Sequence, residues 1–511
     1  MRFFHPQECW RLLFPVRVLV GGLLLAQIIG TVLVWQSNHA LLHKLNLLQA
    51  AGIYPLPGMG VSPPLSSLSA ALAGGLFFAL SIGAGVVLLT LGTFLLVTSL
   101  PAAARKYMIL VLAAVWLGLL IRANWQGFCP GLTAFLVLVP GPVLWLCRRQ
   151  ARRFASTERP GRARLFHLLL ILFLCVWWGL RINSQVFVNI KDNLLLTSGA
   201  GRAFVHLYYQ YTLYPAEVFK TLAQKQVKTC RLAGFAETDL PDRVKKALAT
   251  HDYFAVEDPL AEVTVRRQDG QLFLGCRQDM VVKVPTARFL DDPGGTLRRL
   301  SAGCDVNAAF RDFTLAALLG VAPLVLYLAT LTMFALVPGL FLPLRLSAWL
   351  VPLLCCLLWA GVIPLLDSPP LRTDDGAAAA AAMTDGSRKE KIAALRYVFD
   401  RRLDIFRFPG YAALRESEDF ALRYWLIRNL GHSRNPRADR QIRRFLAADS
   451  PYLVCKAMEA AAARAELFPR TADQGLKEAV VEKLSVSDNW YVQMYAYRTA
   501  RRLGWMPVKF D

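Results

Sequence analysis

The sequence has few charged residues, and its long hydrophobic runs contain almost none. Charged residues make up 18% of the 511 residues, whereas a typical soluble domain has roughly 25%. Within the hydrophobic runs, Asp, Glu, Lys and Arg occur only near the ends. Ion-coupled transporters and pumps usually need buried ionisable groups for their proton or ion relays. The composition therefore counts against that class and is typical of a membrane protein with several spans and sizeable aqueous parts.

The usual catalytic motifs are also missing. No HExxH, GxSxG, Walker A or dinucleotide-binding glycine pattern occurs, and no CxxC pair indicates a zinc site. The stretch 37–67 contains no Asp or Glu, whereas polytopic glycosyltransferases that use lipid-linked donors resemble one another in carrying acidic residues in their first outside loop. Enzyme activity is therefore not indicated, although it is not excluded, and no cofactor and no metal site is predicted.

The net charge of +22 does not indicate a nucleic-acid partner. Much of the excess lies where hydrophobic runs begin or end, for example at Arg2, Arg11, Arg17, Arg105 and Lys106. Positive charge at membrane borders is a topology signal, and the sequence has no nucleic-acid-binding motif of the usual types. The bilayer is therefore the predicted partner of these charges.

A group of arginines before the hydrophobic run 165–180 determines the predicted topology. The group consists of Arg148, Arg149, Arg152, Arg153, Arg159, Arg162 and Arg164, and only Glu158 offsets it. Short basic loops beside a span stay on the cytoplasmic side, so this loop is predicted to lie inside. The first hydrophobic run, 18–34, lacks a small-x-small cleavage site just beyond it, and we interpret it as a retained span.

About seven spans are predicted when about 20 apolar residues are required for each. They lie near 15–36, 68–99, 107–123, 131–147, 162–182, 312–336 and 345–366. Pro140 and Pro142 leave open whether 131–147 crosses the membrane or re-enters. The predicted protein is a multi-pass protein of a bacterial-type inner (plasma) membrane, with a cytoplasmic N-terminus. Both aqueous regions, 183–311 and the C-terminal part, are then extracytoplasmic.

The first two spans carry small residues at every fourth position. These residues are Gly22, Ala26 and Gly30 in the first span and Ala71, Gly75, Ala79 and Gly83 in the second. Small residues at this spacing let helix backbones approach closely in lipid. We therefore expect the two helices to pack together, and a ligand groove is the alternative.

The predicted outside loop 37–67 and the start of the first aqueous region contain three candidate binding features. His39 and His43 would share a helix face and could ligate a metal if a third ligand were near. The small-residue stretch 198–201 could cradle phosphate at a helix start but lacks the Lys-Ser/Thr of a P-loop. The aromatic band 204–219 is expected to pack the domain or to lie at the headgroup level. The Pro/Gly-rich stretch 54–64 is expected to be irregular backbone on the membrane surface.

The rest of the first aqueous region, 183–311, is predicted to be an α+β domain with a small antiparallel sheet. Asp269 and Gly270 separate two strand-like runs, which is a strong signal for a type I′ hairpin. An extracytoplasmic location permits disulfides. Cys230 paired with Cys304 is the predicted bond, with Cys230–Cys276 as an alternative and three reduced thiols as another.

The predicted domain organisation ends with a linker and a helical region. The membrane domain with five spans covers 1–182, the α+β domain 183–311, two further spans 312–366, the linker 367–387 and the helical region 388–511. The linker is rich in Pro, Gly, Asp and Ala. In the helical region Asp419, Asp449 and Asp488 each start a helix-like segment and are predicted N-caps.

Apolar or small residues follow each of these aspartates at helical spacing. They include Tyr424 and Ile427, Val454 and Ala457, and Val492 and Ala496. The pattern over 390–506 resembles HEAT-type α-solenoid repeats, in which a similar helix recurs every 30 to 45 residues. An ordinary helical bundle is the alternative. The resemblance implies a curved all-α surface for protein contact.

The leading functional hypothesis is an integral membrane scaffold or assembly factor with a protein partner on the repeat surface. The alternative is a membrane enzyme or transporter that acts on a lipid or envelope precursor at the outer membrane face. His39, His43 and the aromatic band would be its candidate residues.

Overall fold

The computed structural model describes residues 14–58, 63–153, 161–235, 240–276, 279–336, 344–366, 376–468 and 474–505. This part of the chain is mostly helical with one small sheet, as the predicted fold class requires at this level. Four helices are long and apolar enough to cross a membrane: Val16–Ala50, Leu68–Thr98, Ala102–Ala123 and Pro130–Ala151. Residues 154–160 of the arginine loop and 337–343 of the last predicted inside loop lie outside the described residues.

The first five hydrophobic runs form helices; those of the first four runs pack as a bundle, and that of the fifth run packs on the helix Leu344–Leu365. They are α1 (Phe14–Ala50), α2 (Leu68–Phe78), α3 (Ala84–Ser99), α4 (Ala102–Ala123), α5 (Pro130–Leu138), α6 (Pro140–Arg153) and α7 (Gly161–Gly179). One π-helical turn, Ala79–Gly83, joins α2 to α3. Val139, between α5 and α6, has helical φ and ψ angles of −76° and −43°. The backbone therefore continues as a helix through Pro140 and forms no re-entrant hairpin.

The helices α1 and α2 touch backbone to backbone. A Cβ atom added to Gly75 would lie 2.6 Å from the Thr31 amide nitrogen, and one added to Gly30 would lie 2.8 Å from the Gly75 carbonyl oxygen. A Cβ added to Gly83 would lie 2.5 Å from the Ala26 Cβ. All seven small residues of the two stripes are buried: Gly22, Ala26, Gly30, Ala71, Gly75, Ala79 and Gly83. Small side chains are needed here because the two backbones leave no room for larger ones.

The helix α1 continues to Ala50, and the prediction of a loop from residue 37 was wrong. Residues 37–50 contain no Pro or Gly and several Leu, which favour a helix. Leu41, Leu45 and Leu48 place one face of this extension in the core. His39 and His43 therefore lie on a helix rather than in a loop.

Three short helices follow the bundle: α8 (Val186–Asn193), α9 (Gly199–Tyr211) and α10 (Leu213–Phe219). A 3-10 turn, Leu195–Thr197, joins α8 to α9. Ser198 caps α9, since its hydroxyl accepts a hydrogen bond from the Gly201 amide at 3.1 Å. A Cβ at Gly201 would collide with the Leu195 carbonyl. Gly201 therefore serves a tight helix start, whereas a Cβ at Gly199 would meet no atom within 4 Å.

The α+β domain contains β1 (Lys228–Ala233), α11 (Leu240–Ala249), β2 (Tyr253–Ala255), β3 (Val263–Gln268), β4 (Gln271–Cys276), β5 (Asp279–Pro285), α12 (Thr286–Asp291) and α13 (Pro293–Gly303). The sheet order is β2-β1-β3-β4-β5. Asp269 and Gly270 both have positive φ and form the predicted hairpin between β3 and β4. The sheet is mixed rather than antiparallel, because β1 pairs in parallel with both β2 and β3.

The disulfide of this domain joins Cys276 to Cys304, so neither predicted bond with Cys230 forms. Cys230 lies on β1 and is fully buried in the domain core beside Val244 and Leu248. Cys276 ends β4 and Cys304 follows α13, where their Cα atoms are 6.0 Å apart. The strand order decides the pairing, because it turns the Cys230 thiol into the core and brings the other two thiols together.

Two hydrophobic helices and a layer of shorter helices complete the chain. The hydrophobic pair is α14 (Ala308–Leu336) and α15 (Leu344–Leu365). The layer contains α16 (Gly376–Asp385), α17 (Arg388–Asp400), α18 (Tyr411–Glu416), α19 (Phe420–Leu430), α20 (Arg437–Leu446), α21 (Pro451–Leu467), α22 (Gln474–Val486) and α23 (Trp490–Arg502). We call α16–α23 the helical layer. Half of the predicted linker therefore belongs to it: the alanine run forms α16, because alanine is the best helix former, and Ala379 and Met383 are buried.

Alternate helices of the helical layer pack in a row. Helix α17 packs on α19, α19 on α21, and α21 on α23, and we call these four helices the inner row. Val454, Ala457, Val492 and Ala496 are buried in it. Helices α20 and α22 pack on the inner row and on each other. These two helices cover one side of the inner row. The other side faces the rest of the chain.

Two of the three predicted N-caps are displaced by one residue. The Asp419 carboxylate accepts hydrogen bonds from the Ala421 and Leu422 amides and caps α19. At α21 the N-cap is Ser450, not Asp449, and its side chain makes no hydrogen bond to the start of the helix. At α23 the cap is Asn489 instead of Asp488, and its side chain accepts from the Tyr491 and Val492 amides.

Candidate functional site

A buried carboxylate joins the inner row to the segment after the bundle. Asp192, near the end of α8, is fully buried. Its side chain accepts hydrogen bonds from Arg396 Nη2 at 2.7 Å and from Trp425 Nε1 at 2.8 Å. Its backbone carbonyl accepts two more from the Arg388 guanidinium, each at 3.0 Å. Buried charges are tolerated when they are paired and hydrogen-bonded, so this contact fixes α8 against α17 and α19.

A group of tyrosines fills the adjacent interface. Tyr209 of α9 lies between Tyr452 and Tyr491, with both ring centroids 4.9 Å away. Lys191 Nζ lies 3.7 Å from the Tyr424 ring centroid and donates a hydrogen bond to the Tyr452 hydroxyl at 2.9 Å. Burial raises the pKa of Tyr209 and of Tyr452. These phenols therefore stay neutral and act as packing and hydrogen-bonding groups.

Tyr424 differs from its neighbours in its electrostatic surroundings. Burial raises its pKa, but Lys191, Lys456 and Arg428 outweigh burial, so that the pKa of Tyr424 is lowered. The Lys456 ammonium lies 5.8 Å from the ring centroid. Cations over an aromatic face bind favourably when they are partly desolvated. The tyrosine group therefore holds two lysine side chains in the interface.

The last helix, α23, contacts three separate parts of the chain. Trp490 Nε1 donates to the Tyr209 carbonyl at 3.1 Å. The Gly58 amide donates to Gln493 Oε1 at 2.7 Å, which places the stretch 53–58 against the helical layer. Arg501 Nε donates to Asp252 Oδ1 of the α+β domain at 2.8 Å. One helix thus joins α9, the end of the α1 extension and the α+β domain.

A second charged group joins α1 to the α+β domain. Lys44 Nζ donates to the Val227 carbonyl at 3.0 Å and lies 3.7 Å from Glu262 Oε2. Glu262 also accepts from Lys225 Nζ at 2.5 Å and from the Thr229 amide at 3.1 Å. Burial alone would raise the pKa of Glu262, but the two lysines and these hydrogen bonds lower it to about 2. We call Lys44, Lys225 and Glu262 the lysine–glutamate group.

Burial also acts on a neighbouring lysine. It lowers the pKa of Lys228 to about 8, although Asp252 and Glu262 oppose the shift. The Lys228 ammonium lies over the Tyr253 ring, 4.5 Å from its centroid. Lys228 is therefore held in the domain by an aromatic contact as well as by charge.

Two small cavities lie along this interface. The first, of about 20 Å³, is lined by Lys44, Glu217, Lys220, Lys225 and Trp490, among others. The second, of about 50 Å³, lies between α9 and the inner row, and Arg202, His206, Tyr452 and Asn489 are among its lining residues. A cavity of 10–15 Å³ holds one water. Both spaces therefore fit water rather than a substrate.

The two candidate histidines do not form a site together. His39 Nδ1 donates to the Trp35 carbonyl at 2.9 Å, and His43 Nε2 lies 3.5 Å from Asp258 Oδ2. Within the described residues, no group of three His, Cys, Asp or Glu side chains is placed to hold a metal ion. The aromatic band divides: Tyr209, Tyr214 and Phe219 pack inward, whereas Phe204 and Tyr208 are exposed.

Sequence reasoning missed Asp192, Arg396 and the lysine–glutamate group. Asp192 and Arg396 are 204 positions apart, and neither stands in a recognisable motif. The one available signal was Lys44, a charge at the end of a long apolar run without an acidic residue nearby, which requires a partner from elsewhere in the fold.

Comparisons with known proteins do not supply a function. No family model, no curated protein and no solved structure matches this chain.

Proposed function

We propose that the protein is an integral membrane scaffold or assembly factor that presents extracytoplasmic domains to a protein partner. The observation that carries this proposal is the way the inner row is docked. Asp192, the tyrosine group and α23 attach it to the rest of the chain, so the helical layer is a fixed platform. The resemblance to HEAT-type repeats supports a role in protein contact.

The inner row is occupied by the protein's own α8 and α9, so a partner must bind elsewhere on the helical layer. Helix α20 is the best candidate. Its residues Ala438, Ile442 and Phe445 are buried, and its outer side is basic. Arg437, Arg440, Arg443 and Arg444 are exposed there, and Arg434 is exposed just before the helix. We call these five residues the arginine face.

The arginine face includes an exposed ion pair. Arg444 lies 3.8 Å from Glu416, which also pairs with Arg415. Exposed ion pairs of this kind contribute little binding energy and are easily exchanged. Burial raises the pKa of Tyr411, while Arg415, Arg437 and Arg444 oppose the shift, so these cations surround one point. We infer that the partner presents an acidic protein surface, because complementary charge steers association and sets specificity.

The membrane topology belongs to the same proposal. Helices lie at all seven positions where spans are predicted, which supports a seven-span arrangement with the N-terminus cytoplasmic. The disulfide between Cys276 and Cys304 supports an oxidising compartment for the α+β domain. The helical layer touches that domain through Arg501 and Asp252, which supports a location of both on the same side of the membrane.

The test is a charge reversal on the arginine face of the full-length protein. Arg437→Glu, Arg440→Glu and Arg443→Glu are combined, and the partners retained after crosslinking in native membranes are quantified by mass spectrometry. We expect the specific partner to fall by about tenfold, with a steep salt dependence in the unmodified protein.

The matched control reverses exposed charges elsewhere. Arg498→Glu on α23 and Arg266→Glu on β3 change exposed arginines without touching the arginine face. They should leave the retained partners unchanged. Equal recovery of every partner with the triple variant and with the controls would refute the arginine face as the docking surface.

The alternative, a membrane enzyme or transporter acting on a lipid or envelope precursor, has one supporting observation. Three lysines converge at the cavity beside Trp490 and Glu217, and cations recognise anionic headgroups. Turnover or transport by the purified protein in vesicles containing such lipids would favour this alternative over the scaffold.

A further inference from the structure

The segment from α8 to α9 runs across one end of the helix bundle. Helix α8 begins seven residues after α7 ends at Gly179. Asn193 is the last residue of α8. Its Nδ2 donates to the Leu366 carbonyl, at the end of α15, at 2.8 Å. Helix α9 then packs against α2, which begins at Leu68. The segment therefore connects the ends of three hydrophobic helices on one side of the bundle.

The helical layer covers this segment from one direction only. Val205 of α9 is buried, and Tyr209 packs on Tyr452 and Tyr491 of the inner row. On a helix, residues 205 and 209 share one face. The exposed residues of α9 therefore form two groups, one on each side of the face that carries Val205 and Tyr209.

These two sides differ completely in character. One side is apolar and exposed to a large extent: Phe204 is 56%, Leu207 53% and Tyr208 45% exposed. The other side carries Arg202, His206 and Gln210, all exposed and all lining the cavity against the inner row. In α8 and the turn after it, Phe187 is 49% and Leu194 50% exposed. A helix with an apolar side, a polar side and a central contact is typical of an interfacial membrane helix.

The neighbouring helix indicates what covers the apolar side. Leu68, Leu72 and Leu76 of α2 are 59%, 45% and 50% exposed, and α2 belongs to the apolar helix Leu68–Thr98, which is long enough to cross a membrane. A bilayer that covers these leucines of the eleven-residue α2 reaches α9, because α9 packs against α2. Tyrosine at the headgroup level is also the usual arrangement at membrane borders.

We propose that α8 and α9 form an interfacial element whose apolar side inserts into the bilayer surface. Phe187, Leu194, Phe204, Leu207 and Tyr208 contact the acyl chains near the headgroups. Arg202 and His206 stay out of the acyl chains and face the cavity between α9 and the inner row. The helical layer then lies directly on the membrane surface. This proposal does not depend on the scaffold function, because it concerns lipid contact alone.

The experiment introduces the photoreactive residue p-benzoylphenylalanine into the full-length protein at single positions. The test positions are Phe204, where the replacement is closest in shape, and Leu207. The protein is placed in nanodiscs of phosphatidylcholine and phosphatidylglycerol, irradiated, and examined by mass spectrometry for lipid adducts. We expect both test positions to yield about tenfold more lipid adduct than the same residue at Gln210, which lies on the polar side of the same helix.

A positive control makes a negative result informative. The same residue at Leu72, on the hydrophobic helix α2, should form lipid adducts in every preparation. Unchanged melting temperatures identify the variants that keep the fold. If the variant at one test position does not fold, the other test position still decides the result. If Leu72 forms lipid adducts while Phe204 and Leu207 form none, the segment is not at the bilayer. If the adducts at Phe204 are to protein, the apolar side binds a protein instead, and the proposal is wrong.

Discussion

The helix bundle and the interface beneath the helical layer are held together by opposite means. In the bundle, α1 and α2 meet through buried glycines and alanines with backbones in contact. At the interface, Asp192, Glu262 and their cationic partners are buried with directed hydrogen bonds. Close backbone packing is the means by which helices associate in an apolar medium, where burial of hydrophobic surface cannot drive association. The charged groups of the interface instead join their elements through paired, directed hydrogen bonds, whose positions the fold sets.

The largest effect is expected at Asp192, where the interface can be broken at one residue. Asp192→Ala leaves the Arg396 guanidinium buried without its carboxylate, and losing one partner of a buried ion pair costs about 3–5 kcal/mol. The melting temperature of the detergent-solubilised protein should fall steeply. Asp242→Ala, at a side chain that is 82% exposed, is the control and should change the unfolding free energy by less than about 0.5 kcal/mol. Equal melting temperatures would show that Asp192 does not secure the helical layer.

Acid should weaken the second charged contact before it affects the bundle. The folded-state pKa of Glu262 is about 2, whereas an unfolded Glu has a pKa of about 4.3. Its pKa is depressed on folding, so its stabilisation is fully present above about pH 4.3 and is lost as the pH falls towards 2. Two units correspond to about 3 kcal/mol. The Glu262→Gln variant should show a smaller loss of stability over this window, and an identical pH profile would contradict the proposed role.

The stability of the bundle should depend on side-chain volume, whereas the stability of the interface depends on charge. Gly75→Ala places a methyl group within 3 Å of the Thr31 backbone, and overpacking typically costs about 1–3 kcal/mol. Gly92→Ala is the matched control, because nothing lies within 4 Å of the added Cβ. It should be neutral or stabilise α3 by up to about 1 kcal/mol. Similar melting temperatures for the two variants would mean that α1 and α2 are not in close contact.

The smallest effect distinguishes two neighbouring residues at the start of α23. Asn489→Ala removes the side chain that accepts from the Tyr491 and Val492 amides, which typically costs about 1 kcal/mol. Asp488→Ala should cost less than about 0.5 kcal/mol, since Asp488 does not cap the helix. Chemical unfolding of both variants measures the difference, and a larger loss for Asp488→Ala would place the cap where the sequence pattern predicts it.

Regular local patterns carried the correct parts of the sequence analysis. The helical positions of the hydrophobic runs, the hairpin at Asp269 and Gly270, and the buried Val454 and Ala496 all follow from spacing along the chain. The errors fall where a local signal competes with packing. The alanine run was interpreted as a linker from its composition, yet α16 forms because Ala379 and Met383 have a core to enter. Residues 37–50 were interpreted as a loop, yet Leu45 and Leu48 of α1 are buried.

By itself, the sequence determined that the chain is largely helical and rich in apolar helices, because helix propensity and hydrophobic length are properties of contiguous residues. The tertiary structure alone decided that Cys276 pairs with Cys304, that Arg396 reaches Asp192, and that Lys44 meets Glu262. These contacts join residues far apart in the chain, and the spacing of the sequence places no constraint on which of several cysteines or charges will meet. Only the packing of strands and helices brings one pair within bonding distance and buries the alternatives.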